Sequence, residues 1–554
     1  MSTSHATAPL ASTPGGLVIT RDPTVLAHVD VYDTTLRDGL QQEGVSLSVD
    51  DKLRVAKELD YLGVQYIEGG WPGANPKDSE FFQRAKTELK LENATLVSFG
   101  MTRRPFGDAA DDKVLAELLS TGTPVVCIVG KAWDYHVLNA LQVDLDEGVA
   151  MVRDSVAYLV SQGRRVFLDA EHFFDGFKRN PEFSMRVLHA AEEAGVEVLV
   201  LCDTNGGCLP HEVEAIVKEV RAQTTAKLGI HCHDDTGSAA ANSLAAVRAG
   251  VAQVQGCLNG NGERTGNAAL STVIGNVTYK LGSSMLASEK LPLLTSTCHH
   301  IAELMNQAIP SQRAYVGTSA FAHKAGLHTS AIARARDAYE HVNPELIGNG
   351  TKFVVSEMAG RSTIEFKAKE LGLDIDGMAM SNVLDTLKRL EHEGYHFEVA
   401  DASLELLLRG SNNWEQSFFR IESFRTITEH LTDGRYSTEA TVKVWFPSPT
   451  ETDPHNEVRV VATGEGNGPV NALDAAFRAA VGDRYPQLSK VHLVDYKVRV
   501  LDSASGTGAR TRVLIDSTDG TNTWTTIGVS ENIIEASWKA LADALVYGLL
   551  HASV

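Results

Sequence analysis

KLGIHCHDD, residues 227–235, sets two histidines one residue apart behind an apolar run. On a strand, residues i and i+2 point to the same side. His231 and His233 would then face one way at a strand end, a spacing that suits two-point binding of a metal ion. Two hydrogen-bonded histidines at a strand end are the plain alternative. The surroundings decide the fold. Short apolar runs begin near Val29, Tyr66, Thr95, Val125, Val166, Val198, Leu228 and Val254, eight in all. Amphipathic stretches lie between most of them, such as DDKLRVAKELDYLG from Asp50 and DEGVAMVRDSVAYLVSQG from Asp146. The second opens on acids and closes on Gly163, as helix caps and the helix dipole favour. Strand and helix in alternation imply parallel strands, and eight repeats in about 250 residues fit a closed (β/α)8 TIM barrel. An open doubly wound sheet alternates in the same way. The glycine-rich GxGxxG turn expected after the first strand of a dinucleotide-binding sheet is, however, missing. Polar residues also gather just behind the apolar runs: Arg37 and Asp38, Glu68, Glu171, Thr204, His231 and His233, and Asn259. That is the face where a barrel carries its site.

At 554 residues the chain exceeds one ordinary domain. Residues 1–25, rich in Ser, Thr, Ala and Pro, read as a disordered tail, and 26–286 as the barrel. Residues 287–411 turn helical, with LPLLTSTCHHIAELMNQA and MSNVLDTLKRLEHEG around a glycine-rich YVGTSAFAHKAGLH. Residues 412–554 read as an α+β domain with two similar halves. Its strand-like runs are TVKVWF, VRVVAT, VHLVDYKVRVL and TRVLID, and its helical runs are VNALDAAFRAAV and SENIIEASWKALADALVYGL. A formal net charge of -21 argues against a nucleic-acid partner. It leaves room for an anionic substrate in a locally cationic pocket. No apolar run is long enough to span a bilayer, and the tail lacks the pattern of a signal peptide. Six cysteines without a CxxC pair read as reduced thiols in a cytoplasmic protein.

The chemistry gathers around the histidines. VYDTTLRDGLQQ places Arg37 and Asp38 behind the first strand. In a closed barrel this lies near the seventh. One carboxylate and two imidazoles leave open positions on a divalent ion such as Mg²⁺, Mn²⁺ or Zn²⁺. Arg37 would bind or polarise an anionic oxygen, or close the barrel as an ion pair with Asp38. In NGNGERTGNAAL, Asn267 can offer its amide oxygen to the metal, and Glu263 and Arg264 can pair to brace the loop. Glu171, with Asp169 on the same side, suits acid/base work, or one of the two fixes a ligand histidine. Thr204 in LCDTNGG can donate to a substrate carboxylate or serve as a helix cap. His323, His328 and Tyr339 follow in the glycine-rich region, as candidate proton acceptors or ordinary loop residues.

Together, DTTLRDG, HCHDDTG, NGNGERTGN and AFAHKAGLHTSA resemble the isopropylmalate, homocitrate and citramalate synthases, the acyl-CoA-condensing branch of the aldolase-like metal-dependent barrels. The resemblance runs over nearly the whole chain. YIEGGWPGANPKD, with Trp71 and Pro72, looks most like a citramalate synthase subfamily; isopropylmalate synthases usually carry a phenylalanine before that proline. The resemblance implies Asp38, His231, His233 and Asn267 as metal ligands. It gives Arg37 to the keto oxygen and makes Glu171 and Thr204 substrate-site residues. His328 and Tyr339 become catalytic residues delivered to the barrel of a partner in a homodimer. The implied reaction is an acyl transfer in which the acetyl group of acetyl-CoA condenses with pyruvate and the thioester is then hydrolysed. A larger 2-keto acid, or C–C cleavage by the same metal set, are the alternatives. The C-terminal domain would sense an effector, isoleucine for an enzyme that opens isoleucine biosynthesis. Its glycine-rich turns ATGEGNGPV and SASGTGAR suit a small anionic ligand or plain hairpin and helix-start turns.

Overall fold

The computed structural model describes residues 22–335, 338–353, 361–371, 373, 377–411, 414, 416–430, 432, 434, 436–447, 457–501, 506 and 508–552. The expected tail up to residue 21 and part of SASGTGAR lie outside them. The chain forms two compact units, Met1–Phe321 with Arg336–Thr351, and Ala322–Ala335 with Lys352–Val554.

In the first unit eight strands close into a parallel barrel. They are β1 (Asp30–Asp33), β2 (Tyr66–Glu68), β3 (Thr95–Met101), β4 (Val125–Lys131), β5 (Arg165–Glu171), β6 (Val198–Asp203), β7 (Lys227–Cys232) and β8 (Gln253–Gly256). β8 returns to β1 in register from Asp30↔Gln253 to Asp33↔Gly256. Both faces of these strands are buried, which is why they read as unbroken apolar runs. Val126, Ile128, Leu199 and Leu201 point out into the layer of helices. Tyr66, Phe99, Cys127, Phe167 and Val200 fill the interior. Each such side chain, fully buried, contributes roughly 1.5–3 kcal/mol. The helices begin and end on their own sequence signals. Ser48 accepts from the Asp51 N–H at the start of Val49–Leu62, and Gly63 closes it at φ 92°. Asp144 does the same for Leu145–Ser161 by accepting from Glu147.

One buried ion pair stands among the outer helices. Lys52 is fully buried and its Nζ bonds Asp78. The other Asp78 oxygen accepts from the Trp71 N–H at 2.9 Å and Asn75 Nδ2 at 3.0 Å. Gly70 lets this happen: at φ 138° a Cβ there would lie 2.6 Å from the Asp78 carboxyl carbon. The loop behind β2 is thereby tied to the helix before it.

In the second unit β9 (Ala322–His323) and β10 (Lys352–Phe353) pair in parallel. Helices Gly326–Arg334, Arg361–Glu370, Gly377–His392 and Asp401–Ser411 accompany them. Two antiparallel three-stranded sheets follow, β11 (Arg420–His430), β12 (Tyr436–Phe446), β13 (Val458–Gly466) and β14 (His492–Val500), β15 (Thr511–Thr518), β16 (Thr523–Ser530). One helix succeeds each sheet, Pro469–Val481 and Ile533–His551. Two of the glycines of ATGEGNGPV, Gly464 and Gly466, serve packing, while Gly468 stands in open space. A Cβ on Gly464 would lie 2.4 Å from the Ala476 nitrogen, and one on Gly466 2.5 Å from that of Ala472, so β13 can lie close against its helix.

Candidate metal centre and active site

The C-terminal ends of the strands bring the polar residues together. Behind β1, Asp33 accepts from the N–H groups of Thr35 at 2.8 Å and Leu258 at 3.0 Å. This ties the β1 turn to the β8 turn and carries Asp38 toward β7. The Asp38 Oδ2 lies 3.5 Å from His231 Nε2 and 3.9 Å from His233 Nε2, and the two nitrogens are 3.4 Å apart. All three side chains are buried. Burial and mutual repulsion depress the His231 pKa to about 4, against the pull of Asp38, and burial depresses that of His233. Burial pushes the Asp38 carboxyl up, but Arg37 and the two histidines outweigh it and hold it below its usual value. Neutral imidazoles beside a carboxylate are the forms that bind a metal.

Asn267 joins them through the glycine-rich loop and forms an isolated bridge with His233. Its Nδ2 donates to the Asn261 carbonyl at 2.9 Å, and its buried Oδ1 has no hydrogen-bond partner among the described residues. Two glycines make the loop possible. A Cβ on Gly262 would meet Asn267 Nδ2 at 2.3 Å, and one on Gly266 the Gly260 carbonyl at 2.1 Å. Asp38 Oδ1 is likewise buried and makes no close hydrogen bond among the described residues. Such acceptors cost about 1–3 kcal/mol each when left unsatisfied, and a divalent cation would satisfy both. Two neutral nitrogens and two oxygens therefore fit a hard or borderline ion.

Arg37 lies beside this group. Its Nε bonds Glu68, its Nη2 is 3.4 Å from Asp38 Oδ2, and its guanidinium stacks 3.9 Å above the Phe99 ring. Burial works against the charge, but Glu68 and Asp38 keep the guanidinium protonated. Tyr32 completes the holder by donating to Glu68 at 2.7 Å. Phe99 packs edge-on against Trp71 at 5.7 Å.

Glu171 ends β5 half-buried and pairs with Lys131 of β4, its register partner. Sequence reading passed over Lys131, although it continues the inward alternation of Val125, Cys127 and Val129. His172 follows in a left-handed conformation, φ 54°. Its N–H donates to Thr204 Oγ1 at 2.8 Å, so Thr204 braces the β5 turn and caps no helix. Its hydroxyl hydrogen stays available to donate. The bracing expected between Glu263 and Arg264 takes a different form. Arg264 pairs with Asp235 at 2.8 and 2.9 Å and meets Glu263 only at 3.7 Å. Its left-handed backbone, φ 56°, turns it back toward the HCHDD loop. A cavity of about 480 Å³ opens here, lined by Gln42, Asn261, Arg264, Gln307 and Arg313. His328 stands in the second unit on Gly326–Arg334, its ring 6.3 Å from that of His323. Tyr339 belongs to the first unit and is exposed.

The HMGL-like family profile matches residues 28–298, the homocitrate synthase post-HMGL domain-like profile 315–395, and the LeuA allosteric (dimerisation) domain 398–549. The chain is 52% identical to the (R)-citramalate synthase of Streptomyces coelicolor, over 95% of this chain and 97% of that one. It is 48% identical to the (R)-citramalate synthase of Aquifex aeolicus, over 94% and 98%. Identity to the 2-isopropylmalate synthase of Shouchella clausii is 28%, over 94% and 96%.

Proposed function

The chain belongs to the (R)-citramalate synthase family, and on that footing we propose that it condenses acetyl-CoA with pyruvate and hydrolyses the thioester to give (R)-citramalate. In class it is an acyltransferase whose acyl group becomes an alkyl group on transfer. The observation that carries the chemistry is the convergence of Asp38, His231 and His233 beside Arg37. With Asn267 they would hold the divalent ion, Mg²⁺, Mn²⁺ or Zn²⁺. When bound, the ion supplies Lewis-acid polarisation of the keto group. Arg37 donates to the keto oxygen as it gains charge, and Thr204 donates to the carboxylate. A base, His328 from a partner subunit with Tyr339 beside it, or Glu171, takes a proton from the acetyl methyl. The resulting enolate attacks the keto carbon. Water then releases CoA, and loss of the thioester drives the sequence forward. The cavity with Arg264 and Arg313 suits the anionic CoA arm. Six buried, unpaired thiols fit a cytoplasmic setting. Among the described residues no helix is long and apolar enough to cross a membrane.

The test is thiol release. Acetyl-CoA with pyruvate and a divalent metal is expected to yield free CoA and citramalate, with larger 2-keto acids slower. Faster turnover of a larger keto acid selects the first alternative, and citramalate cleavage without condensation selects a lyase. Isoleucine, proposed as the effector of the C-terminal domain, should weaken substrate use in the same assay by about 5- to 150-fold. An unchanged rate at saturating isoleucine removes that assignment.

Arg37→Lys keeps the charge and loses the planar fork that serves Glu68 and the substrate at once. Its kcat is expected to fall by on the order of a hundredfold, as for loss of an oxyanion donor. A loss confined to KM would reduce Arg37 to a binding role.

A further inference from the structure

Gln255 lies on the inner face of the barrel, fully buried, in register with His231 of β7 and Tyr32 of β1. Its Nε2 donates to Asp169 Oδ1 at 3.0 Å, and its Oε1 lies 3.1 Å from His231 Nδ1. A carboxamide has one donating end and one accepting end, so its orientation decides what His231 must do. Asp169 Oδ1 also accepts from the Cys127 thiol at 3.2 Å. That oxygen is therefore an acceptor twice over, whether or not the other carboxyl oxygen carries a proton. Turning the amide round would set two acceptors face to face at Asp169. In the orientation that remains, the Gln255 oxygen faces His231, so Nδ1 carries the hydrogen and Nε2 keeps its lone pair toward Asp38 and His233. His233 has no such support, since its buried Nδ1 has no hydrogen-bond partner among the described residues.

We infer that Asp169 and Gln255 are positioning residues that hold His231 in its Nδ1–H tautomer and aim Nε2 into the metal site. This rests on the metal-site reading above. Outer partners of this kind commonly set ligand orientation and basicity. The two histidines are then unequal: His231 is preset, and His233 adjusts to the ion.

The test needs two readouts besides turnover. First, ¹⁵N-histidine NMR of the metal-free wild-type chain, assigned by difference against His231→Ala, should show His231 as the Nδ1–H form; an Nε2–H form overturns the proposal. Second, Mn²⁺ is titrated calorimetrically into folded variants checked by circular dichroism. Gln255→Leu and Asp169→Leu should each bind Mn²⁺ about 10- to 100-fold more weakly. Asp169→Asn, whose amide oxygen can still accept from Gln255 Nε2, should keep most of the wild-type affinity. Wild-type affinity in Gln255→Leu overturns the relay. His231→Ala, titrated alongside, tells which premise fell: lost binding there leaves the metal site standing, and retained binding removes it too.

Discussion

Asp38→Ala should lose at least about a thousandfold in kcat/KM, because metal polarisation is worth several kcal/mol. Exhaustive chelation should do the same, reversed by returning a divalent ion. Asp38 supplies the carboxylate that both histidine nitrogens face, at 3.5 and 3.9 Å. Its removal leaves two imidazoles beside the Arg37–Glu68 pair with no carboxylate of their own to meet an incoming cation. The fold should survive, since Arg37 keeps Glu68 and barrel stability comes from the side-chain layers beneath the mouth. The measurement pairs the thiol-release assay with a thermal melt. An active Asp38→Ala enzyme, or one indifferent to chelation, would end the metal assignment.

Asp78→Ala should cost stability rather than chemistry, about 3–5 kcal/mol in urea unfolding, because it strands the buried Lys52 ammonium. Burial already lowers the Lys52 pKa despite Asp78. A lysine whose folded pKa lies below its unfolded value binds fewer protons folded than unfolded, so its contribution to stability is lost as pH falls through the folded pKa. Removing Asp78 takes away the group that raises that pKa, so the deficit should be larger near pH 6 than near pH 9. Lys52→Met combined with Asp78→Leu should recover much of the loss, since an apolar pair of similar volume replaces the charges. A deficit that does not change with pH would mean the lost hydrogen bonds to Trp71 and Asn75 dominate.

The barrel was legible because strands buried on both faces cannot hide. The apolar runs from Val125 and Val198 coincide with β4 and β6. The i and i+2 histidines were legible for the same reason, since alternation alone puts both on the inner face. Gln255 and Lys131 were not. A glutamine in QVQG carries no motif, and only closure of the barrel shows it facing Asp169 and His231. Its signal was a polar residue, two after Gln253, on the inner parity of a wholly buried strand. Strands β11 and β16 escaped notice because RIESFRTITEH and TWTTIGVS mix charge or threonine into the alternation. Arg264 was assigned its chain neighbour, whereas its left-handed backbone delivers it to Asp235.

All six cysteines are buried, and all lie before Phe321, in the first unit. Burial raises each thiol pKa, that of Cys208 to about 12 and those of Cys127, Cys202, Cys232 and Cys257 well above the ordinary value. Folded, the chain should therefore stay silent to a thiol-specific dye, so that colour in the turnover assay belongs to liberated CoA. The same silence makes the dye a clock. Its slow labelling without substrate counts openings of the barrel alone, blind to the sheets of the second unit. Native-state alkylation would thus time how often the catalytic half of the chain comes apart.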